Sequence, residues 1–292
     1  MSRPVRGAHP QTIWESIEMT HAVLAEGRVA VVTGAAMGIG LATCRRLASL
    51  GMAVCMADVD AAELRLAEEE VAKVAPRGRD AILAMPADVA RPEDIGALKD
   101  AVYDRFGEVG LLMNNAATRV GGGGSEDLAD WRRAVEVNFW GVVCGVRAFL
   151  PAMLEQGTAC AIVNTGSKQG ITNPPGNLIY NVTKAAVKTY TEGLQHELRN
   201  TPGCRVSAHL LIPGWTTTGK RDHKPGAWLP DQVVEVLSAA LRREDFYIMC
   251  QDNEVTPEMD AKRILWAAGD IIENRPPLSR WHPDYAEAFA RS

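Results

Sequence analysis

The feature that most constrains this chain lies near its start. Val29-Ala30-Val31-Val32 is an unbroken apolar run bounded by Arg28 and Thr33. A strand buried on both faces has that pattern. It runs into Thr33-Gly34-Ala35-Ala36-Met37-Gly38-Ile39-Gly40 and then into a helical stretch over 41–50. Strand, glycine turn and helix in succession are the context of a dinucleotide-binding turn. Glycines allow a tight turn and a close backbone approach to a pyrophosphate. The helix N-terminus adds free N–H groups and the positive end of its dipole.

The alternation continues. Residues 53–57 read as a second buried strand ending at Asp58. An acid at that place can accept hydrogen bonds from ribose hydroxyls. It can also be a helix N-cap, and the two roles coexist if Asp60 caps the helix over 61–75 while Asp58 faces the ribose. A third strand is expected over 81–85, followed by Ala87-Asp88-Val89, and a helix over 92–106 with Gly107 as its stop. The fourth strand, 110–113, ends in Asn114-Asn115-Ala116-Ala117, and Gly121-Gly122-Gly123-Gly124 reads as a mobile loop. A long helix over 127–155 contains Asn138, which by spacing alone reads as a residue of the wet face. The fifth strand is 160–163 and ends in Asn164-Thr165-Gly166-Ser167. A loop spans 170–177, a helix carries Tyr180 and Lys184 to about 200, and the sixth strand is 206–212, ending at Pro213-Gly214. Strands alternating with helices predict a parallel α/β sheet with helices on both faces.

Tyr180 and Lys184 are spaced i, i+4, so on a helix they share one face. A phenol with pKa of about 10 is a poor acid–base at neutral pH. A fixed ammonium one turn away favours the phenolate and brings it within range of a general acid–base. By spacing alone such a pair more often marks a solvated helix face.

Composition bounds the remaining choices. At 292 residues and 47% hydrophobic the chain can bury one large core, and one α/β domain of this length is ordinary. A net charge of −5 argues against nucleic acid as a partner. The six cysteines lack C-x-x-C spacing and read as free thiols in a reducing compartment. The six histidines show no metal-ligand spacing, so no metal is expected. No apolar run approaches the about 18 residues of a membrane span, and the N-terminus has no secretory h-region. The expectation is a soluble, cytoplasmic protein without a membrane partner.

Taken together, these residues resemble the short-chain dehydrogenase/reductase family over 27–218 in one unbroken order. Thr33-Gly34-x-x-x-Gly38-x-Gly40 matches the cofactor turn, and Asn114-Asn115-Ala116 matches three residues of an Asn-Asn-Ala-Gly motif. Asn138, Ser167, Tyr180 and Lys184 match the catalytic tetrad. Ala117 and Gly166 depart from the common pattern. The resemblance implies a Rossmann-type doubly wound parallel sheet of about seven strands. It implies cofactor contacts at Gly34, Met37, Gly38 and Ile39 in the turn, at Asp58, and at Asp88 and Val89. Further contacts follow at Asn115, Ala116, Tyr180 and Lys184, and then at Pro213, Gly214, Thr216 and Thr218.

The implied reaction is hydride transfer between NAD and a secondary alcohol or ketone. Tyr180 is the acid–base, Lys184 lowers its pKa, Ser167 bonds the substrate oxygen, and Asn138 bends its helix and holds a water. Lyase, dehydratase or epimerase chemistry on the same fold, or NAD binding without catalysis, are the alternatives. The family also implies a homodimer or homotetramer packed through the helices of Asn138 and Tyr180, and a lid over 215–228. The lid holds Trp215, Lys220, Arg221, His223, Lys224 and Trp228; its indoles point to an apolar or ring-bearing substrate. Residues 1–26 read as an arm, 27–250 as the catalytic domain and 251–292 as a helical extension. In that extension Thr256-Pro257-Glu258 starts a helix, and Trp266 and Trp281 read as packing residues.

Overall fold

The structure, a computed structural model, describes residues 22–118, 127–219, 222–252 and 254–292. Most of the expected arm, the four glycines Gly121 to Gly124, and Lys220 and Arg221 lie outside the described residues.

The first half alternates β1 (Val29–Thr33), α1 (Gly38–Ser49), β2 (Ala53–Asp58), α2 (Ala61–Val74), β3 (Ile82–Pro86), α3 (Pro92–Phe106) and β4 (Leu111–Asn114). It continues with α4 (Leu128–Val135), α5 (Gly141–Glu155), β5 (Cys160–Thr165), α6 (Gln169–Thr172), α7 (Leu178–Asn200) and β6 (Val206–Ile212). The last elements are α8 (Pro230–Arg242), β7 (Tyr247–Met249), α9 (Pro257–Ile272) and α10 (Ala286–Arg291). The strands form one parallel sheet in the order β3-β2-β1-β4-β5-β6-β7. The chain builds outward from β1 to β3, then crosses to the other side for β4. Strand order therefore reverses between β1 and β4, where ligands bind in doubly wound sheets.

The continuous apolar runs follow from two buried faces. Ala30, Val32, Val54, Met56 and Met113 point to the layer of α1, α2 and α8. Val29, Val31, Cys55, Leu112 and Ile162 point to the layer of α3, α5 and α7. Alternate side chains enter opposite cores, and each fully buried aliphatic side chain stabilises the fold by about 1.5–3 kcal/mol.

Three local results differ from the expectations. The stretch over 170–177 is not all loop, since α6 occupies its start. The amphipathic helix α8, absent from the sequence reading, covers β6 and β7 with Val233, Leu237 and Leu241. The long helix is interrupted by a π-helical turn, Glu136–Trp140, between α4 and α5. As a unit, Leu128–Glu155 is long and apolar enough to match a membrane span by length and composition, contrary to the sequence reading, and half of that window is buried. Its buried residues include Val146, Phe149 and Met153, which join the core on the α3 and α7 face.

Candidate active site

The glycine turn closes against the end of β4. Gly34 has φ of +65°, and a Cβ there would stand 2.8 Å from the Ala116 Cα. A Cβ on Gly40 would overlap the Gly34 carbonyl oxygen. Asn115 braces this turn, donating from Nδ2 to the Thr33 carbonyl at 3.1 Å, while the Thr33 hydroxyl accepts from the Asn115 and Ala116 N–H groups at 3.0 and 3.1 Å. No side chain caps the N-terminus of α1. Its first N–H groups and the dipole end thus face the turn, which is the arrangement a pyrophosphate requires. The bare backbone at Gly34 and Gly38 and the uncapped helix fit a dinucleotide cofactor.

Asp58 ends β2 beside this turn. Its carboxylate accepts from the Ala36 and Asp60 N–H groups, both at 3.0 Å, which fixes its orientation. Asp60 caps α2 by accepting from Ala62 and Glu63, so the division of labour expected between the two acids holds for the cap. Among the described residues no lysine or arginine pairs with Asp58, and Arg45 turns instead to Glu70 at 3.3 Å. Asp88 is engaged by a partner the sequence did not announce: Arg133 on α4 reaches it at 3.2 Å.

Tyr180 lies in the first turn of α7, and Lys184 one turn further is buried. The Lys184 ammonium donates to the Thr165 carbonyl at 2.7 Å and stands 5.6 Å from the centre of the Tyr180 ring. The pair therefore does not sit on a solvated face. Ser167 follows β5, and its Oγ accepts from the Gln169 N–H at 3.2 Å.

Asn138 is fully buried, which corrects its placement on a wet face. Its Oδ1 accepts from the Thr118 N–H at 2.7 Å; its Nδ2 donates to the Thr118 carbonyl at 3.0 Å and to Thr183 Oγ1 at 3.2 Å. Both amide protons are thus committed to protein partners. The side chain clamps the segment after β4 to the helix of Tyr180, and the π-helical turn is the local irregularity that aims it there.

One cavity of about 840 Å³ gathers these groups. Gly34, Met37, Gly38, Ile39, Asp58, Asp88 and Val89 line it around the glycine turn, together with Asn115 and Ala116. Ser167, Tyr180, Lys184, Pro213, Gly214, Thr216 and Thr218 complete it. Asn138 is the one sequence-derived site residue that does not line it. The segment over 215–228 is pinned at its base: Trp228 donates to the Trp215 carbonyl at 2.8 Å and Thr217 to the Trp228 carbonyl at 2.9 Å. Its His223 and Lys224 are exposed and do not line the cavity.

The cations that reach this end come from elsewhere. Lys168, Arg263 and Arg280 line it, and so does Trp281, which had read as a packing residue in preference to a substrate contact. Trp266 does pack: it is buried, with Nε1 donating to Ser279 Oγ at 2.9 Å. Lys168 had one signal in the sequence, its adjacency to Ser167; Arg263 and Arg280 had none.

Comparison with known proteins agrees with this geometry. A family profile described as short chain dehydrogenase matches residues 28–225. A 1-deoxy-11-beta-hydroxypentalenate dehydrogenase of Streptomyces exfoliatus is 37% identical over 195 residues, 65% of this chain and 68% of that protein. The enzyme of the same description from Streptomyces avermitilis is 35% identical over 249 residues, 81% of this chain and 89% of its own length. Among solved structures, a short chain dehydrogenase/reductase from Burkholderia phymatum in complex with NAD superposes with a TM-score of 0.78 at 32% identity, covering 86% of this chain and 96% of that one. With the turn, the parallel sheet and the Tyr180–Lys184 pair in place, the chain belongs to the short-chain dehydrogenase/reductase family of oxidoreductases.

Proposed function

We propose that the protein transfers a hydride between NAD and a secondary alcohol or ketone, with Tyr180 as the general acid–base. The observation that carries this reading is the convergence of Tyr180, Lys184 and Ser167 on the cavity that also holds the glycine turn. A nicotinamide cofactor held by Gly34, Gly38, Asp58 and the segment from Pro213 to Thr218 would supply the hydride acceptor or donor.

In the oxidation direction the Tyr180 oxygen takes the proton of the substrate hydroxyl. Lys184, held by the Thr165 carbonyl, keeps a positive charge beside the ring and favours the phenolate. Ser167 donates a hydrogen bond to the substrate oxygen as charge develops on it. Asn138 acts as a positioning residue through Thr118 and Thr183. NAD rather than NADP is supported by the Asp58 carboxylate, which repels a 2′-phosphate and has neutral Met37 and Val59 as its neighbours in the cavity. The Streptomyces relatives are hydroxypentalenate dehydrogenases, which supports a hydroxyl as the reacting group.

We further read the protein as a cytoplasmic homodimer or homotetramer. All six cysteines are free, which supports a reducing compartment. Trp140, Leu154, Leu178 and Val182, on the helices of Asn138 and Tyr180, are 40–46% exposed and offer an apolar contact face. Sedimentation at several protein concentrations tests the assembly, and a monomer throughout removes it.

The test of the chemistry is Tyr180→Phe, which keeps the ring and deletes the proton. Turnover, followed at the reduced-nicotinamide band, should fall by about 10²–10⁴ with cofactor affinity little changed. Near wild-type turnover in the folded variant would remove Tyr180 from the mechanism. Product formation with no absorbance change would replace net hydride transfer by lyase or epimerase chemistry.

A further inference from the structure

We propose that Arg263 and Arg280 form a subsite for a carboxylate carried by the substrate, at the end of the cavity beside Ser167. The proposal rests on the hydride-transfer reading above and names the substrate class that reading leaves open. Both arginines lie beyond residue 225, outside the segment matched by the family profile.

The position follows from a short chain of contacts. Lys168 is the residue after Ser167, and its ammonium meets Asp260 of α9 at 2.6 Å. Arg263 lies three residues after Asp260 on the same helix, hence on the same face. Arg280 follows in the turn after α9, and both guanidinium side chains line the cavity with Trp281. The glycine turn and the uncapped end of α1 answer the cofactor's phosphates elsewhere in the cavity, so these arginines are not required for them.

Partial burial sets them apart. Arg28, Arg45, Arg79, Arg91, Arg133 and Arg275 each have a carboxylate partner. Among the described residues Arg263 and Arg280 have neither an ion pair nor a hydrogen bond, and the Arg263 Nε is buried without a partner. Among the described residues Arg46, Arg65, Arg77, Arg132, Arg147 and Arg242 also have neither an ion pair nor a side-chain hydrogen bond, but all six are exposed, whereas Arg263 and Arg280 are half-buried. A buried guanidinium donor left unpaired is costly. Arg280 stacks on the rings of Trp281 and Phe289, with 4.5 and 5.5 Å to the centroids. Stacking occupies a face of the guanidinium and leaves its in-plane donors for an acceptor. Burial pulls the Arg280 pKa below its ordinary value, the neighbouring Arg263 charge adds to this, and Asp260 opposes it. Two like charges brought together on a cavity wall gain from an anion between them.

Charge decides which anion. Three cations, Lys168, Arg263 and Arg280, line this end with two carboxylates nearby, Asp252 and Asp260, both of which Lys168 approaches. One positive charge is left over, which matches a monoanionic carboxylate better than a phosphate dianion. Trp215 and Trp281 supply apolar surface beside it for a ring-bearing body.

The experiment is calorimetric titration of the full chain, saturated with NAD, with cyclohexanecarboxylate and its neutral isostere cyclohexanecarboxamide. The carboxylate should bind about ten-fold or more tightly. Arg263→Gln with Arg280→Gln should bring the two affinities together while NAD affinity, the control for folding, stays within a factor of two or so. Arg263→Lys, which keeps the charge, should retain part of the preference. Equal affinities in the wild type, including no binding of either probe, overturn the subsite, as does a double variant that keeps the preference. Loss of NAD binding in Arg263→Lys would assign the arginines to the cofactor instead. The binding readout involves no turnover, so failure of the Tyr180 mechanism and failure of the subsite are separable.

Discussion

Lys168 and Asp260 meet at 2.6 Å with side chains 14% and 9% exposed, joining the residue after Ser167 to helix α9. Asp252 stands 3.8 Å from the same ammonium and accepts from the Trp215 N–H at 2.9 Å. One half-buried lysine therefore ties the segment after β5, the segment after β6 and α9 together at the cavity.

Removing one partner of a buried ion pair leaves an uncompensated charge. Asp260→Asn should destabilise the fold by about 3 kcal/mol, toward the low end for buried pairs because Asp252 stays nearby. Denaturant unfolding measures it, and an unchanged midpoint would mean that the pair contributes nothing net.

Gly40→Ala tests the turn. The new methyl would overlap the Gly34 carbonyl and stand 2.8 Å from Asn115 Nδ2, both fixed parts of the turn. Backbone must shift, and overpacking of this kind costs about 1–3 kcal/mol. Cofactor affinity should fall by at least ten-fold, read by fluorescence titration. Undiminished affinity would show that the turn tolerates a Cβ and does not approach the cofactor closely.

Asp58→Ala addresses cofactor choice. It deletes the acceptor for the ribose hydroxyls and the repulsion toward a 2′-phosphate together. The ratio of kcat/KM for NAD over NADP, measured with one substrate, should drop by about ten-fold or more. The Ala36 and Asp60 N–H groups also lose their acceptor, so a modest loss of stability should accompany it. A wild-type ratio that already favours NADP would overturn the role given to Asp58.

The buried thiols predict an alkaline limit. Burial pushes the thiols of Cys55 and Cys250 up to about 12, and raises Cys44 as well, with Cys55 beside it adding to the effect. Unfolded, each titrates near its ordinary value of about 8.5. Each raised pKa therefore contributes stability that is complete below pH about 8.5 and is lost as pH rises toward 12. Urea midpoints should fall between pH 8.5 and 11, less steeply in Cys55→Ala than in the wild type. A midpoint independent of pH across that window would contradict the burial of these thiols.

Much of this protein was legible in its sequence because the signals are local. A strand buried on both faces is apolar along its length, so β1, β2 and the first four residues of β5 stand out as continuous runs, while β6 carries Ser207 and His209 within it. A turn with positive φ at Gly34 and Gly38 needs glycine there, and helical spacing alone puts Lys184 one turn from Tyr180. Tertiary structure decided what depends on packing between elements distant in the chain. Asn138 reads as a wet-face residue until the π-helical turn directs it to Thr118 and Thr183. Arg263 and Arg280 carry no local pattern and reach the cavity only because Asp260 of α9 is held against Lys168. Backbone geometry is written in neighbouring residues, whereas the charge lining a cavity is the sum of side chains that meet only after the sheet and its helices have closed.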